Sequence, residues 1–142
     1  MNAPSSPLRD MVVRRASNRC EYCQLPAQLQ VGGFEVDHIL PRSQGGQTDL
    51  ANLALACPHC NAYKWAYIDG EDPVSGQTIT LFNPRTQTWE DHFQWSGQRP
   101  FEIEGITARG RATVVRLQMN HPDLVSIRRL LAELELPWKA EA

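Results

Sequence analysis

Two C-x-x-C pairs, Cys20 with Cys23 and Cys57 with Cys60, constrain this chain more than any other feature, and they use every cysteine it has. A C-x-x-C turn lets two sulfurs converge on one ion, and two such turns complete a tetrahedral site with Zn–S distances of about 2.3 Å. Four thiolates leave no open coordination position, so a zinc held this way is structural. An iron–sulfur or redox role for the same pairs stays open at this level. The first residues, Met1 to Pro7, lack the basic and apolar regions of an export signal. The expectation is a cytoplasmic setting in which thiols stay reduced, which favours a metal site over a disulfide framework.

The remaining composition excludes several classes. A chain of 142 residues with 42% hydrophobic and 21% charged residues can bury a core, so a disordered or fibrous chain is excluded. No stretch approaches the roughly 18 apolar residues of a membrane span, so no membrane partner is expected. The net charge of −2 and a pI near 6.1 mean that affinity for nucleic acid has to come from a local patch.

Ser6-Pro7 reads as a helix cap followed by proline in the first turn. Leu8, Met11, Val12 and Ala16 recur at helical spacing up to an end near Asn18. The other face carries Arg9, Arg14 and Arg15, either solvated or facing phosphate. Between the cysteine pairs, Phe34, Val36 and His38 alternate with Glu35, Asp37 and Ile39, which predicts a strand. Gly45-Gly46 marks a turn, and Leu50, Leu53 and Leu55 are apolar anchors leading to Cys57. The run from His59 to Trp65, with Pro58 at its start, predicts a short helix.

In order, Cys20-Glu-Tyr-Cys23, Val36-Asp-His-Ile-Leu-Pro-Arg-Ser43, Gly45-Gly46, Asp49-Leu-Ala-Asn-Leu53, Cys57-Pro-His-Cys-Asn61 and Lys64 closely resemble the HNH endonuclease family, in its four-cysteine, zinc-containing, H-N-N form. The resemblance implies a ββα-metal (His-Me finger) core of α+β class, with a hairpin carrying Asp37 and His38, a loop carrying Asn52 and a helix carrying Asn61. It also implies cleavage of DNA. Hydrolysis of a phosphodiester needs an activated water, a cation on the phosphate and stabilisation of the leaving oxygen. His38 is the candidate general base, since an imidazole with a pKa of about 6.5 accepts a proton at neutral pH. Asp37 and Asn61 offer hard oxygens to Mg²⁺ or Mn²⁺, Asn52 holds the loop and His38 in place, and the Cys20, Cys23, Cys57 and Cys60 zinc is scaffold.

Each assignment has a plainer rival: Asn52 as a turn or cap residue, Asn61 as a cap, and Asp37-His38 as surface structure. Arg42, His59 and Lys64 are candidate phosphate contacts, or else solvated residues. The competing class is a zinc-ribbon-like module that binds nucleic acid or protein without cutting. A toxin or regulatory component using the acidic middle as contact surface is a third. Whether the chain forms a homodimer or needs a partner protein is left open.

The expected division is a nuclease core over residues 1–68 and a C-terminal extension over 69–142 packed on it. In the extension, 69–76 reads as an acidic, turn-rich connection, and Thr78 to Pro84 as a strand. The stretches 89–95 and 100–107 are compatible with a small antiparallel sheet. From Asp69 to Glu104 seven acidic residues face only Arg85 and Arg99, so this face is not expected to lie on DNA. Thr107 reads as the cap of a helix that turns Val114, Leu117 and Val115 inward. Pro122 opens a helix with Leu124, Ile127, Leu131 and Leu134 on one stripe. The extension also resembles the tail of some bacterial HNH proteins, and that resemblance assigns it no role.

Overall fold

A computed structural model describes residues 6–141, so the export-signal reading of the first residues falls largely outside what is described. The architecture is α+β. Helix α1 (Ser6–Arg15) turns Val12 into the core, and the chain reverses at Ser17 and Asn18, both with φ of 54°, so the helix stops short of its expected end. Two of its three arginines are neither merely solvated nor phosphate-facing. The Arg9 guanidinium donates to the Phe34 carbonyl at 2.6 Å, and that of Arg15 donates to the carbonyls of Leu50 and Leu53 at 2.8 and 2.6 Å. Arg14 is exposed.

The first cysteine pair sits in a small turn closed by the Cys20 N–H on the Leu25 carbonyl and by pairing of Arg19 with Pro26. Strand β1 (Glu35–His38) then pairs antiparallel with β2 (Leu53–Ala56), Glu35 opposite Ala56 and His38 opposite Leu53. All four residues of β2 are buried, because α1 and helix α2 (Pro58–Lys64) both pack against it. A strand covered on both sides carries an unbroken apolar run rather than an alternating one. Cys57 caps α2, its sulfur accepting from the Cys60 N–H at 3.3 Å, and Pro58 occupies the first turn.

The second half departs from its sequence reading at several places. Residues Asp69–Glu71 form strand β3, paired with β4 (Thr78–Thr80), where a connection was expected. The Asp72 side chain is wholly buried in the turn, accepting from Ser75 and from the Nε and Nη2 of Arg111 at 2.8 and 3.0 Å. An acidic residue from the segment expected at the surface thus anchors a hairpin to a helix, and the Arg111 fork holds its carboxyl below the usual range.

A single turn, α3 (Trp89–His92), leads into β5 (Phe93–Trp95), which pairs with β6 (Ile103–Gly105). Helix α4 (Ala108–Arg116) packs on β3, β4 and β6, and Thr107 caps it by accepting from the Gly110 N–H at 3.0 Å. Just beyond α4, Leu117 is fully buried, whereas Val115 in its last turn is 47% exposed. Helix α5 (Pro122–Glu133) buries Leu124 and Leu131 but leaves Ile127 and Leu134 exposed. Arg128 takes the inward place between them. Fully buried, it donates to the carbonyls of Phe101 and Met119, both at 2.8 Å.

One apolar cluster runs from Val12 through β2 to Phe93, Leu117 and Met119. The Trp89 indole N–H on the Tyr22 carbonyl at 2.7 Å and the Arg85–Glu21 ion pair join the extension to the first cysteine turn. Among the described residues, no helix is long and apolar enough to cross a membrane.

Gly110 marks the closest approach in the extension: a Cβ there would lie 2.0 Å from the His92 carbonyl oxygen. Alanine favours an isolated helix over glycine by about 1 kcal/mol. At this position the backbone collision reverses the sign, and Gly110→Ala is expected to destabilise the protein by about 2–3 kcal/mol, read as a lowered denaturation midpoint at unchanged slope.

Candidate active site and metal centre

The two cysteine turns meet. The sulfurs of Cys20, Cys23, Cys57 and Cys60 all lie within 4.8 Å of one another, and all four residues are buried. Cys23 and Cys57 sulfurs are 3.6 Å apart. Four sulfurs about 2.3 Å from a common centre stand about 3.8 Å apart in a tetrahedron, so the cluster fits a metal such as zinc. In each pair the second cysteine's N–H points at the first cysteine's sulfur, at 3.4 Å for Cys23 on Cys20 and 3.3 Å for Cys60 on Cys57. Such bonds stabilise thiolate charge. Glu21, between the first two cysteines, exchanges backbone and side-chain bonds with Leu55, which ties the first turn to β2.

Beside this cluster, β1 presents Asp37 and His38. Asp37 is 4% exposed. Its Oδ2 accepts from the Tyr22 hydroxyl at 2.8 Å and lies 3.2 Å from Lys64 Nζ. Burial pushes the Asp37 carboxyl up, and the Lys64 ammonium and the Tyr22 hydroxyl oppose that shift. His38 is half-buried with its Nε2 2.8 Å from Thr48 Oγ1. Burial is the main cause that lowers its pKa below 6.5, with Arg42 and Lys64 acting in the same sense and Asp37 against it.

Asn52 fastens the connection between the strands. Its Oδ1 accepts from the Leu40 N–H at 2.8 Å, and its Nδ2 donates to the carbonyls of Leu40 and Gln47 at 3.0 and 2.9 Å. The loop is drawn so tight that a Cβ on Gly46 would lie 1.7 Å from the Leu40 carbonyl oxygen, which only glycine avoids. The clasp therefore sets where Thr48 stands against His38. Asn61 lies on α2 three residues before Lys64, on the same side of the helix, and its amide makes no hydrogen bond to the described residues.

Two of the three candidate phosphate contacts have other partners. Lys64 is 1% exposed, and beyond Asp37 its ammonium donates to the carbonyls of His38 and Ile39 at 3.2 and 3.1 Å. It is an interior cation, not a free phosphate ligand. His59 Nε2 donates to the carbonyls of Leu117 and Gln118 at 3.1 and 2.8 Å, and its ring lies 4.5 Å from that of Tyr63. It tethers α2 to the end of α4. Arg42, in the turn after β1, is exposed. Sequence reasoning missed Tyr22 and Thr48. Tyr22 stands in the sequence only as a spacer within the C-x-x-C pair, and Thr48 carries no signal until the loop closes.

The oxygens of Asp37 and Asn61 fit a hard divalent cation in kind. The carboxylate, however, already holds an ammonium.

Residues 20–65 match the family model of the HNH endonuclease. A CRISPR-associated endonuclease Cas9 from Corynebacterium diphtheriae is 29% identical over 111 residues, an alignment covering 75% of this chain and 10% of that protein. The chain thus matches about a tenth of that relative's length. No solved structure matches. The segment that holds the cysteine cluster, the β1–β2 hairpin and α2 is accordingly the part of the chain that is similar to HNH endonucleases, and helices and strands outside the match follow it.

Cys57 both belongs to the sulfur cluster and caps α2, so Cys57→Ala, which removes ligand and cap alike, is expected to abolish metal binding and the cooperative thermal transition together. Zinc binding contributes on the order of 10 kcal/mol to the folding of small zinc modules. Metal content by mass spectrometry beside a calorimetric melt checks this; a folded, metal-free protein would refute it.

Proposed function

We propose that this chain is a metal-dependent endonuclease that hydrolyses phosphodiester bonds of DNA, with His38 as the general base. The observation that carries the reading is the His38–Thr48 contact held by the Asn52 clasp. When His38 Nε2 carries the proton and donates it to Thr48, Nδ1 keeps its lone pair and none of the described residues competes for it. A ring with its pKa below 6.5 is neutral at pH 7, the state a base needs. His38 would take a proton from water, and Asn52 and Thr48 would hold the imidazole in the orientation that lets it do so. Asp37 and Asn61 would hold a divalent cation, Mg²⁺ or Mn²⁺. Such an ion supplies charge to the scissile phosphate and the leaving oxygen when bound. Arg42, exposed beside the hairpin, is the remaining candidate for a phosphate contact.

Supercoiled plasmid, incubated with zinc-loaded protein and with or without Mg²⁺ or Mn²⁺, tests this. Nicking is expected only with the added cation, and His38→Ala should lower the rate by about 10²–10⁴ while keeping zinc and fold. Absence of cleavage under every metal, with the fold intact, would favour a non-catalytic binding module. Cleavage of RNA alone would correct the substrate.

The pH profile follows from the sign of the His38 shift. A base works unprotonated, so the wild-type rate should rise with pH through one ionisation below 6.5 and be level at pH 7–8. In Thr48→Val that limb should persist, with the plateau lowered about 10-fold or more by loss of orientation. An unchanged plateau would remove Thr48 from the site.

A further inference from the structure

Lys64 is an anomaly of composition as well as of position. The chain has twelve arginines and two lysines, Lys64 and Lys139. Wherever a cation clamps backbone carbonyls elsewhere in the fold, at Arg9, Arg15, Arg116 and Arg128, it is a guanidinium. Only beside Asp37 is it an ammonium, a compact point charge with three donors and no planar fork.

Those donors meet oxygens alone: the Asp37 carboxylate at 3.2–3.3 Å and the carbonyls of His38 and Ile39. An oxygen-lined niche around a small cation is the environment that a hard metal ion selects. The free amide of Asn61 stands one turn away on the same helix face. A buried ion pair is no better for stability than well-packed apolar residues, so stability alone does not account for the pair.

We propose that Lys64 is the resident counter-ion of Asp37, a positioning residue whose ammonium holds the carboxylate in place until a divalent cation displaces it. This rests on the reading of Asp37 as a cation ligand. Two positive charges cannot share one buried carboxylate without strong repulsion, so cation entry and departure of the ammonium are a single exchange. Affinity for the divalent ion is then set partly by Lys64.

The two-lysine composition supplies an internal reference for the test. Zinc-loaded wild-type protein is acetylated with a limiting amine reagent across a Mn²⁺ titration, and modification of Lys64 is read against exposed Lys139 by peptide mass spectrometry. The Lys64/Lys139 ratio is expected to rise several-fold and to saturate with Mn²⁺. In Asp37→Asn it should start high and ignore Mn²⁺. In parallel, electron paramagnetic resonance of free Mn²⁺ should show Lys64→Met binding the ion about tenfold or more tightly than wild type.

Mn²⁺ bound through Asp37 with a flat Lys64 ratio would overturn the exchange and leave the cation reading standing. Mn²⁺ binding that does not depend on Asp37 would overturn both. Should Lys64→Met fail to fold, the labelling experiment on the wild-type chain decides by itself.

Discussion

Convergence of four cysteine sulfurs is the constraint on which the rest of the structure depends. The two turns that supply them are 34 residues apart, and between them lie the whole β1–β2 hairpin and its loop. Drawing both turns to one point closes that loop, starts α2 at Cys57 and sets α2 across the hairpin. A four-residue, two-stranded hairpin has little stability of its own. It is held here by the cluster at one end, by the arginines of α1 on its approaches, and by the apolar faces of α1 and α2 on either side of β2.

That closure also explains the electrostatics of the site. Asp37 is buried because α2 covers its face of the hairpin, and the same helix brings the Lys64 ammonium to it. His38, at the strand's end, stays half-buried, so its charged form is disfavoured without the ring being sealed from solvent. The Asn52 clasp satisfies backbone groups of a loop that has no ladder of its own and aims Thr48 at the imidazole. Scaffold and chemistry thus share a few residues. Tyr22 illustrates it, with its backbone carbonyl on Trp89 of the extension and its hydroxyl on Asp37.

The extension is bound to this core by polar contacts as much as by apolar ones. Glu21 with Arg85, His59 with the end of α4, and Trp89 with Tyr22 each cross from one half of the chain to the other. Inside the extension the same device recurs in Asp72 with Arg111 and in Arg128 with two carbonyls. The carboxylates and carbonyls buried in these contacts are paired, whereas Nε and Nη1 of Arg85 and Nε of Arg128 are buried without a hydrogen-bond partner among the described residues.

The local elements were legible. Pro7 and Pro58 in first turns, the Thr107 cap, the alternation over 34–39 and the two C-x-x-C pairs each carry their own physical signature within a few residues, and α1, α2, α4, β1 and the cysteine cluster follow from them. The short strand Asp69–Glu71 was not legible, since Asp-Gly-Glu has neither alternation nor β-propensity and is a strand only because β4 and α4 lie against it. Nor were the fates of individual charges. Local pattern gives Lys64, Arg128 and Asp72 as surface residues, because charge alone predicts exposure. Burial was decided by partners distant in the chain: Asp37 for Lys64, Phe101 for Arg128, Arg111 for Asp72. Which residues can ligate, cap and pair is readable from the chain alone, because those are properties of residue type and spacing. Which cation sits on Asp37 is not, because that depends on the donors that folding brings to one carboxylate, here the Lys64 ammonium at 3.2 Å.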